Sequence, residues 1–531
     1  MTQKQKSLAG GIGILSVAGL ICKIVGVLYQ IPLNNNIGPE GMGVYNLVFP
    51  SYNLLLSIST VGIPVAISRM VAQYLAQDDP RNAGKTFKTS LLILSVFGFA
   101  ATAFMMLSYQ SLGRATATVE SAGGFLVIAP SLLLVSVMSA FRGFMQGRRR
   151  MVPTAVSQLI EQVGKVFIAL PFAVIGMRRG GYAMGAAGAL LGTSVAEAAA
   201  LLYMAVDYYL HRRDMQRLPQ AIESVASTGS LVREITAISI PITIGASIVP
   251  LAGLVDSFML KRIMQGYMQE SQALVSYGVY SGPVISLINV PTALAAAISA
   301  NLVPAISHAL ARNDEDRVKR EAATGLRLAS VVGFPCAVGL SLLAEPVLFL
   351  LFGRGGRYTP DQLRLGARLL EISSLTILFF IQVQATSAIL QALRRQRIPM
   401  YTLALGVAIK MAFNYSLVAI PSVGIQGAPY ASLLCYIVSF LPNLYYVRKY
   451  AGLQMNLAEL LWRPLASTAA MAALLLPIKW LLGAALGRSW IYMLGAIGLS
   501  GIVYFAASLR FKAVLPGDLP GFIRKRIFKH V

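Results

Sequence analysis

Apolar runs of about twenty residues, each long enough to cross a hydrocarbon layer as a helix, recur about fourteen times along this chain. They lie near 8–32, 42–76, 86–109, 122–145, 153–177, 182–209, 234–259, 276–309, 322–351, 366–391, 399–420, 426–447, 460–485 and 489–509. Inside a bilayer every backbone polar group must be satisfied within the protein, so runs of this length predict helices rather than open strands. The fold class that follows is an all-α polytopic membrane protein of about 14 transmembrane helices, called spans 1 to 14 below. Composition agrees, because only 12% of the residues are charged, about half the fraction of a soluble domain. The first run is too long for a cleaved leader and lacks a small-residue clip site, so it reads as span 1. Spans 2 and 8 are long and contain Pro64, Pro283 and Pro291, which predicts tilt or bending.

A net charge of +24 raises the question of nucleic acid, yet no separate basic domain exists to hold it. The basic residues fall instead in the loops of one side. With the N-terminus inside, about 29 Lys and Arg are cytoplasmic against about ten outside, the asymmetry of the positive-inside rule. The inner clusters are Arg148 to Arg150, Arg212-Arg213, Arg317 to Arg320, Arg394-Arg395 and Arg524 to Arg526. Both termini are therefore expected in the cytoplasm. One outer loop departs from the rule with Arg354, Arg357, Arg364 and Arg368. It is either a solvated loop or a contact for anionic substrate or headgroup.

The chain also repeats itself. Pro64-Val-Ala-Ile-Ser68 recurs as Pro304-Ala-Ile-Ser307 behind Val303; Met145-Gln146 with Arg148-Arg149 and Pro153 recurs as Leu390-Gln391 with Arg394-Arg395 and Pro399. Gly185-Ala-Ala-Gly-Ala189 recurs as Gly424-Ile-Gln-Gly-Ala428. A common offset in conserved order predicts two six-helix lobes as a parallel pseudo-repeat, with two C-terminal helices added. The expected division is an N-lobe at 1–215, a cytoplasmic linker at 216–233, a C-lobe at 234–450, spans 13 and 14 at 451–510, and a basic tail at 511–531. Transporters of this build hold substrate between lobes near the midplane.

Charge at bilayer depth costs several kcal/mol unless it meets water or a partner, so each such residue is a candidate for function. In span 5, Gln158, Glu161, Gln162 and Lys165 fall on one helical face, with Glu161 and Lys165 in the favourable i,i+4 order. Two readings stand: a self-neutralised packing pair, or the polar wall of a cavity. Lys23 lies mid-span in span 1, either lining a cavity or bridging to Glu161 or Asp256. Arg69 follows Pro64 by little more than a turn, and Lys410 and Asn414 share a face of span 11. Glu197, Asp256 and Glu371 are the remaining acids at depth, candidates for ion coupling. Cys22, Cys336 and Cys435 all fall inside spans, and His211, His308 and His530 have no ligand spacing, so no metal is expected. Gly353-Arg-Gly-Gly-Arg357 lacks the lysine and serine of a phosphate loop. No enzyme chemistry and no cofactor are expected.

Arg142-Gly-Phe-Met-Gln-Gly147, Met151-Val-Pro-Thr-Ala-Val-Ser-Gln158 with Glu161-Gln162, Gly62-Ile-Pro-Val-Ala-Ile-Ser68 and Leu302-Val-Pro-Ala-Ile-Ser307 together resemble the stage V sporulation protein B group. That group belongs to the polysaccharide-export branch of the multidrug, oligosaccharidyl-lipid and polysaccharide exporter superfamily. The resemblance covers nearly the whole chain. It implies two six-helix lobes, two extra helices, alternating access and, in relatives that flip lipid II, a cationic cavity. Lys23 and Arg69 match basic positions of those flippases, whereas span 8 lacks the basic residue they keep there. The glycan is thus left open between lipid II and another undecaprenyl-linked oligosaccharide. The implied function is outward movement of a lipid-linked precursor in the cytoplasmic membrane, with membrane lipid and cell-wall synthesis proteins as partners and no nucleic acid. A cation-coupled multidrug exporter on the same fold is the alternative.

Single cysteines at Gly356 and Thr228, probed with an impermeant maleimide, test the orientation. Gly356 is expected to label from outside and Thr228 only after permeabilisation; external labelling at Thr228 would overturn it.

Overall fold

In the computed structural model, residues 3–212, 226–453, 458–486 and 490–515 are described. Lys479 and the tail cluster Arg524 to Arg526 lie outside the residues whose side chains are described. Among the described residues the chain is helical throughout, and twelve stretches are long and apolar enough to cross a membrane. Two of these, Val17–Ala76 and Val152–His211, are 60 residues each. A straight helix of that length would measure about 90 Å, three times the hydrocarbon thickness. Each is therefore two spans, which restores the count of about fourteen.

The breaks are chemical. Gly38 has φ 70° and ψ −177°, and Gly181 has φ 71° and ψ −161°. That left-handed extended region is closed to residues with a Cβ, so each hairpin turns on a glycine. Span 1 begins at Gln3, and span 2 continues past a second irregularity at Val61 as Gly62–Ala76. The apolar run read as 322–351 is two helices, Glu315–Leu342 and Ala344–Phe352, since hydropathy alone does not register a turn between apolar residues.

The hairpin of spans 5 and 6 is held by contact between backbones. A Cβ placed on Gly176, Gly188 or Gly192 would overlap backbone atoms of Met184, Phe172 and Ala169 respectively, and one on Gly164 would overlap Ala196. These pairs are symmetric about position 180, the signature of an antiparallel hairpin zipped by small residues. In lipid there is no hydrophobic gain from helix association, so such close van der Waals contact is a main source of cohesion. The second half repeats the device: a Cβ on Gly406 would overlap Cys435, and one on Gly427 would overlap Leu417 and Val418 of span 11.

Internal repetition is visible in the turns as well. Left-handed φ values occur at Asp78, Ala117, Arg149 and Gly181, and again at Asn313, Gly356, Arg394 and Gly424. Asp79 caps span 3 by accepting the amide of Asn82, and Asp314 caps span 9 by accepting that of Arg317. A pseudo-repeat that reproduces both turn conformation and capping residue is a duplicated fold.

By packing, the chain forms two compact units, 1–282 and 283–531. Packing and duplication are separate criteria, so the lobe boundaries remain a proposal drawn from the repeat. Within the first unit, Phe87 stacks against Phe141, Phe144 and Tyr208 at ring-centroid distances of 5.3, 4.6 and 4.8 Å. This aromatic cluster closes spans 3, 4 and 6 at the end bearing Arg148 to Arg150. Span 7, Thr228–Met264, lies along the same unit. Its Ser247 hydroxyl is 3.1 Å from that of Ser57, and Leu231 and Ile235 pack on Ala66 and Met70.

The zipper predicts a graded response to side-chain volume. Gly192→Val and Gly188→Val are expected to abolish accumulation of folded protein, because the obstructing atoms are backbone and cannot move aside. Gly245→Ala, with open space around it, is expected to be silent. Membrane abundance and size-exclusion profile in detergent check both.

Candidate functional site

The polar residues at depth in the first unit converge from spans 1, 2, 4, 5 and 6. Span 5 starts at Val152 with Pro153 in its first turn and widens into a π-helical turn at Lys165–Ala169. That turn shifts register just where the polar stripe ends. Insertions of this kind re-aim side chains and gather at functional positions.

The stripe does not neutralise itself. Glu161 Oε2 lies 3.1 Å from Nη2 of Arg142 on span 4, with both side chains 14% exposed. Arg142 Nε also donates to Ser157 Oγ at 2.9 Å, and Ser157 Oγ donates to the carbonyl of Thr154. Glu161 thus pairs across helices with Arg142, a partner that neither reading of the stripe included. Lys165 is half-buried and forms no ion pair among the described residues. Gln158 is half-buried, and Gln162 points its amide oxygen at Gly26 of span 1. Cys22 sits close enough to Glu161, Arg142 and Lys165 to feel their charges.

Lys23, next to Cys22, is exposed within the protein and forms no salt bridge among the described residues. The alternative bridge from Lys23 to Glu161 is not formed, since Glu161 is taken by Arg142. Asp256 is half-buried on span 7. Glu197 of span 6 is 5% exposed and accepts the Tyr52 hydroxyl on Oε1 at 2.6 Å. Its Oε2 is buried without a hydrogen bond among the described residues. Next to it, Ser131 donates to Ser194 at 2.7 Å, and Glu161 and Lys165 lie within electrostatic reach.

Gln158, Glu161, Lys165 and Glu197 are therefore brought into one neighbourhood, and Lys23 follows the span 1 residue, Cys22, that faces Glu161 and Lys165. Arg69 is exposed on span 2 and stands apart from this set, without an ion pair among the described residues. The remaining candidates belong to the second unit. There Lys410 is half-buried, Asn414 is fully buried on the same helix, and Glu371 is exposed on span 10. Among the described residues no three His, Cys, Asp or Glu side chains are grouped to hold a metal ion.

Three participants were not singled out from the sequence: Arg142, Tyr52 and Ser157. Arg142 lies only sixteen residues before Gln158 and in the same motif, but no helical periodicity links it to span 5. The pairing needs the turn at Arg148 to Met151 to fold span 5 back on span 4. Chemically, Arg142 and Glu161 neutralise each other, and neither Lys23 nor Lys165 has an ion-pair partner among the described residues.

Removing one member of a buried pair strands the other. Arg142→Ala is expected to lower stability by about 3–5 kcal/mol, whereas Arg142→Ala combined with Glu161→Ala recovers much of that loss. Exchanging Glu161 and Lys165 is expected to destabilise too, since it sets a lysine against Arg142. Thermal unfolding in detergent with a double-mutant cycle measures both; equal losses in the single and double variants would deny the pair.

Comparison with known proteins places this arrangement. The profile of the family described as polysaccharide biosynthesis protein matches residues 8–310, and the MatE profile matches 241–416. The lipid II flippase MurJ of Bacillus subtilis is 24% identical over 543 residues, covering 98% of each chain. An uncharacterized membrane protein of the same organism, YabM, is 29% identical over 509 residues, covering 94% of this chain and 92% of its own. Stage V sporulation protein B, also from Bacillus subtilis, is 24% identical over 86% of both chains. Among solved structures, lipid II flippase MurJ in an inward closed conformation superposes with a TM-score of 0.67 at 14% identity, covering 94% of this chain and 98% of its own. An inward-facing multidrug resistance MATE transporter of the MOP superfamily gives 0.63 at 13% identity, covering 83% of this chain and all of its own. Those whose names state an activity are flippases or transporters, none an enzyme. With more than half its length matched by the profile, this chain is a member of the polysaccharide biosynthesis protein family, an integral membrane protein with the fold of the MOP-superfamily transporters.

Proposed function

We propose that the chain is a flippase that moves an undecaprenyl-pyrophosphate-linked cell-wall precursor, lipid II or a related lipid-linked oligosaccharide, from the inner to the outer leaflet. The observation that carries this reading is the charge balance of the first unit. Arg142 absorbs the charge of Glu161, and Lys23 and Lys165 are left as cations on the faces of spans 1 and 5. A pyrophosphate headgroup is the anion such a surface fits, and relatives along the full length of the chain include a lipid II flippase. Arg69, and Lys410 with Asn414 in the second unit, extend the proposed substrate surface. Both termini in the cytoplasm and rocking of two six-helix lobes belong to the same proposal.

The energetics need no nucleotide. A pyrophosphate carries roughly two negative charges, and one charge crossing 100 mV is worth about 2.3 kcal/mol. With the interior negative, outward movement is downhill by about 4–5 kcal/mol per 100 mV when the protein's cations return unpaired. The membrane potential alone can then bias release to the outside.

A specific observation favours the second reading, a cation-coupled exporter. Glu197 is a buried carboxyl with one oxygen free of hydrogen bonds, a place where a proton or cation could be carried. Asp256 and Glu371 are the other acids that reading would use.

Exposure of labelled lipid precursor on the outer surface of vesicles separates the two. Lys23→Ala is expected to lower flipping at unchanged membrane abundance, with Lys23→Arg keeping much of it. Valinomycin with potassium, which collapses the potential while the proton gradient is kept, is expected to stall transport. Normal flipping by Lys23→Ala, or indifference to the potential, would sink the flippase mechanism and favour the exporter.

A further inference from the structure

Lys261, near the end of span 7, is the largest anomaly outside the proposed substrate surface: its side chain is 0% exposed. A lysine is almost never fully buried unless its ammonium is completely partnered. Here it is. Nζ donates to the carbonyl of Ala117, to the hydroxyl of Thr118 and, at 2.9 Å, to Glu270 Oε1 at the start of span 8. Gln265, one turn on, donates to the same Ala117 carbonyl at 3.2 Å.

The receiving turn between spans 3 and 4 is built for this. Thr116 donates to the Gly113 carbonyl, Ser121 donates to that of Thr118, and the hydroxyls of Thr116 and Ser121 lie 2.8 Å apart. Ala117 itself has φ 55°, a left-handed conformation unfavourable for alanine. The knot of internal bonds holds that strained residue with its carbonyl presented to the ammonium. This turn is at the end of spans 3 and 4 opposite Arg148 to Arg150, hence the outer end in the proposed orientation.

At the opposite end of span 7 the attachment is of another kind, with Leu231 and Ile235 packed on Ala66 and Met70. The Ala226 amide donates to Asn82 Oδ1 and its carbonyl accepts from Lys85. Span 7 is the repeat counterpart of span 1, so in a rocking cycle it must change its relation to spans 3 and 4. The outer contact is made of charged hydrogen bonds that exchange readily for water. An apolar contact would lose its whole burial on opening.

We infer that Lys261, with Ala117, Thr118 and Glu270, is a positioning residue that latches the outer end of span 7 shut and must release for substrate to leave. This rests on the flippase reading above, and it names a part of the cycle that the substrate surface does not supply.

The test uses the full chain with Cys22, Cys336 and Cys435 replaced by alanine and cysteines placed at Ala117 and Gln265. A short bifunctional thiol reagent is expected to link them in high yield and stop precursor exposure, and a cleavable version is expected to restore it on reduction. Losing one hydrogen bond to a charged group shifts an equilibrium by about tenfold, so Lys261→Met, which removes three, should lower the rate of linking by at least that order. Thr118→Val and Glu270→Gln, which keep the lysine, should lower it less. Should all three variants fold and link as fast as the parent, or the linked protein expose precursor at the unlinked rate, the latch is refuted and Lys261 only fastens the fold. A parent that moves no precursor while linking still falls in the variants would reject the flippase reading and leave the latch standing.

Discussion

Helices already immersed in lipid gain little by burying apolar side chains against one another, so cohesion has to come from how closely their backbones approach. The span 5–span 6 hairpin meets this demand with a glycine at every crossing, from Gly176 near the turn to Gly164 against Ala196 near its base. The rest of the first unit depends on it. That contact fixes the rotation of span 5, and the rotation decides that Glu161 faces Arg142 and that Lys165 and Gln162 face span 1. A looser hairpin would leave a polar stripe free to turn toward lipid.

Electrostatics in this setting works by subtraction. A lone carboxylate at depth is too costly to keep, so Glu161 exists because Arg142 answers it, and the pair adds little net field. Glu197 shows the complementary arrangement, an acid enclosed by hydroxyls of Tyr52 and neighbouring serines rather than by cations. The two acids sit within reach of one another yet take different partners, a guanidinium for Glu161 and a tyrosine hydroxyl for Glu197.

Span 7 illustrates how a membrane fold combines attachment with movement. Its midsection touches span 2 through small and hydroxylated residues, and its outer end is held by an ammonium in a cup of oxygens. Contacts of the first kind slide; a hydrogen-bonded ammonium is either made or broken.

The sequence by itself determined the class of fold, the number of spans to within the hairpins, and the duplication, because bilayer thickness imposes a length on every apolar run and a gene duplication leaves its motifs in order. The breaks between spans 1 and 2 and between spans 5 and 6 were legible as gaps between apolar runs, whereas their placement on Gly38 and Gly181 came from the backbone. The polar stripe of span 5 was legible too, since helical periodicity places Gln158, Glu161, Gln162 and Lys165 on one face. Which partner each of them takes was not. Periodicity speaks only within one helix, whereas Arg142 with Glu161, Tyr52 with Glu197 and Lys261 with Ala117 join helices whose relative rotation is set by close packing. Only the tertiary structure could decide those pairings, because a charge at bilayer depth takes whichever partner the backbones bring nearest.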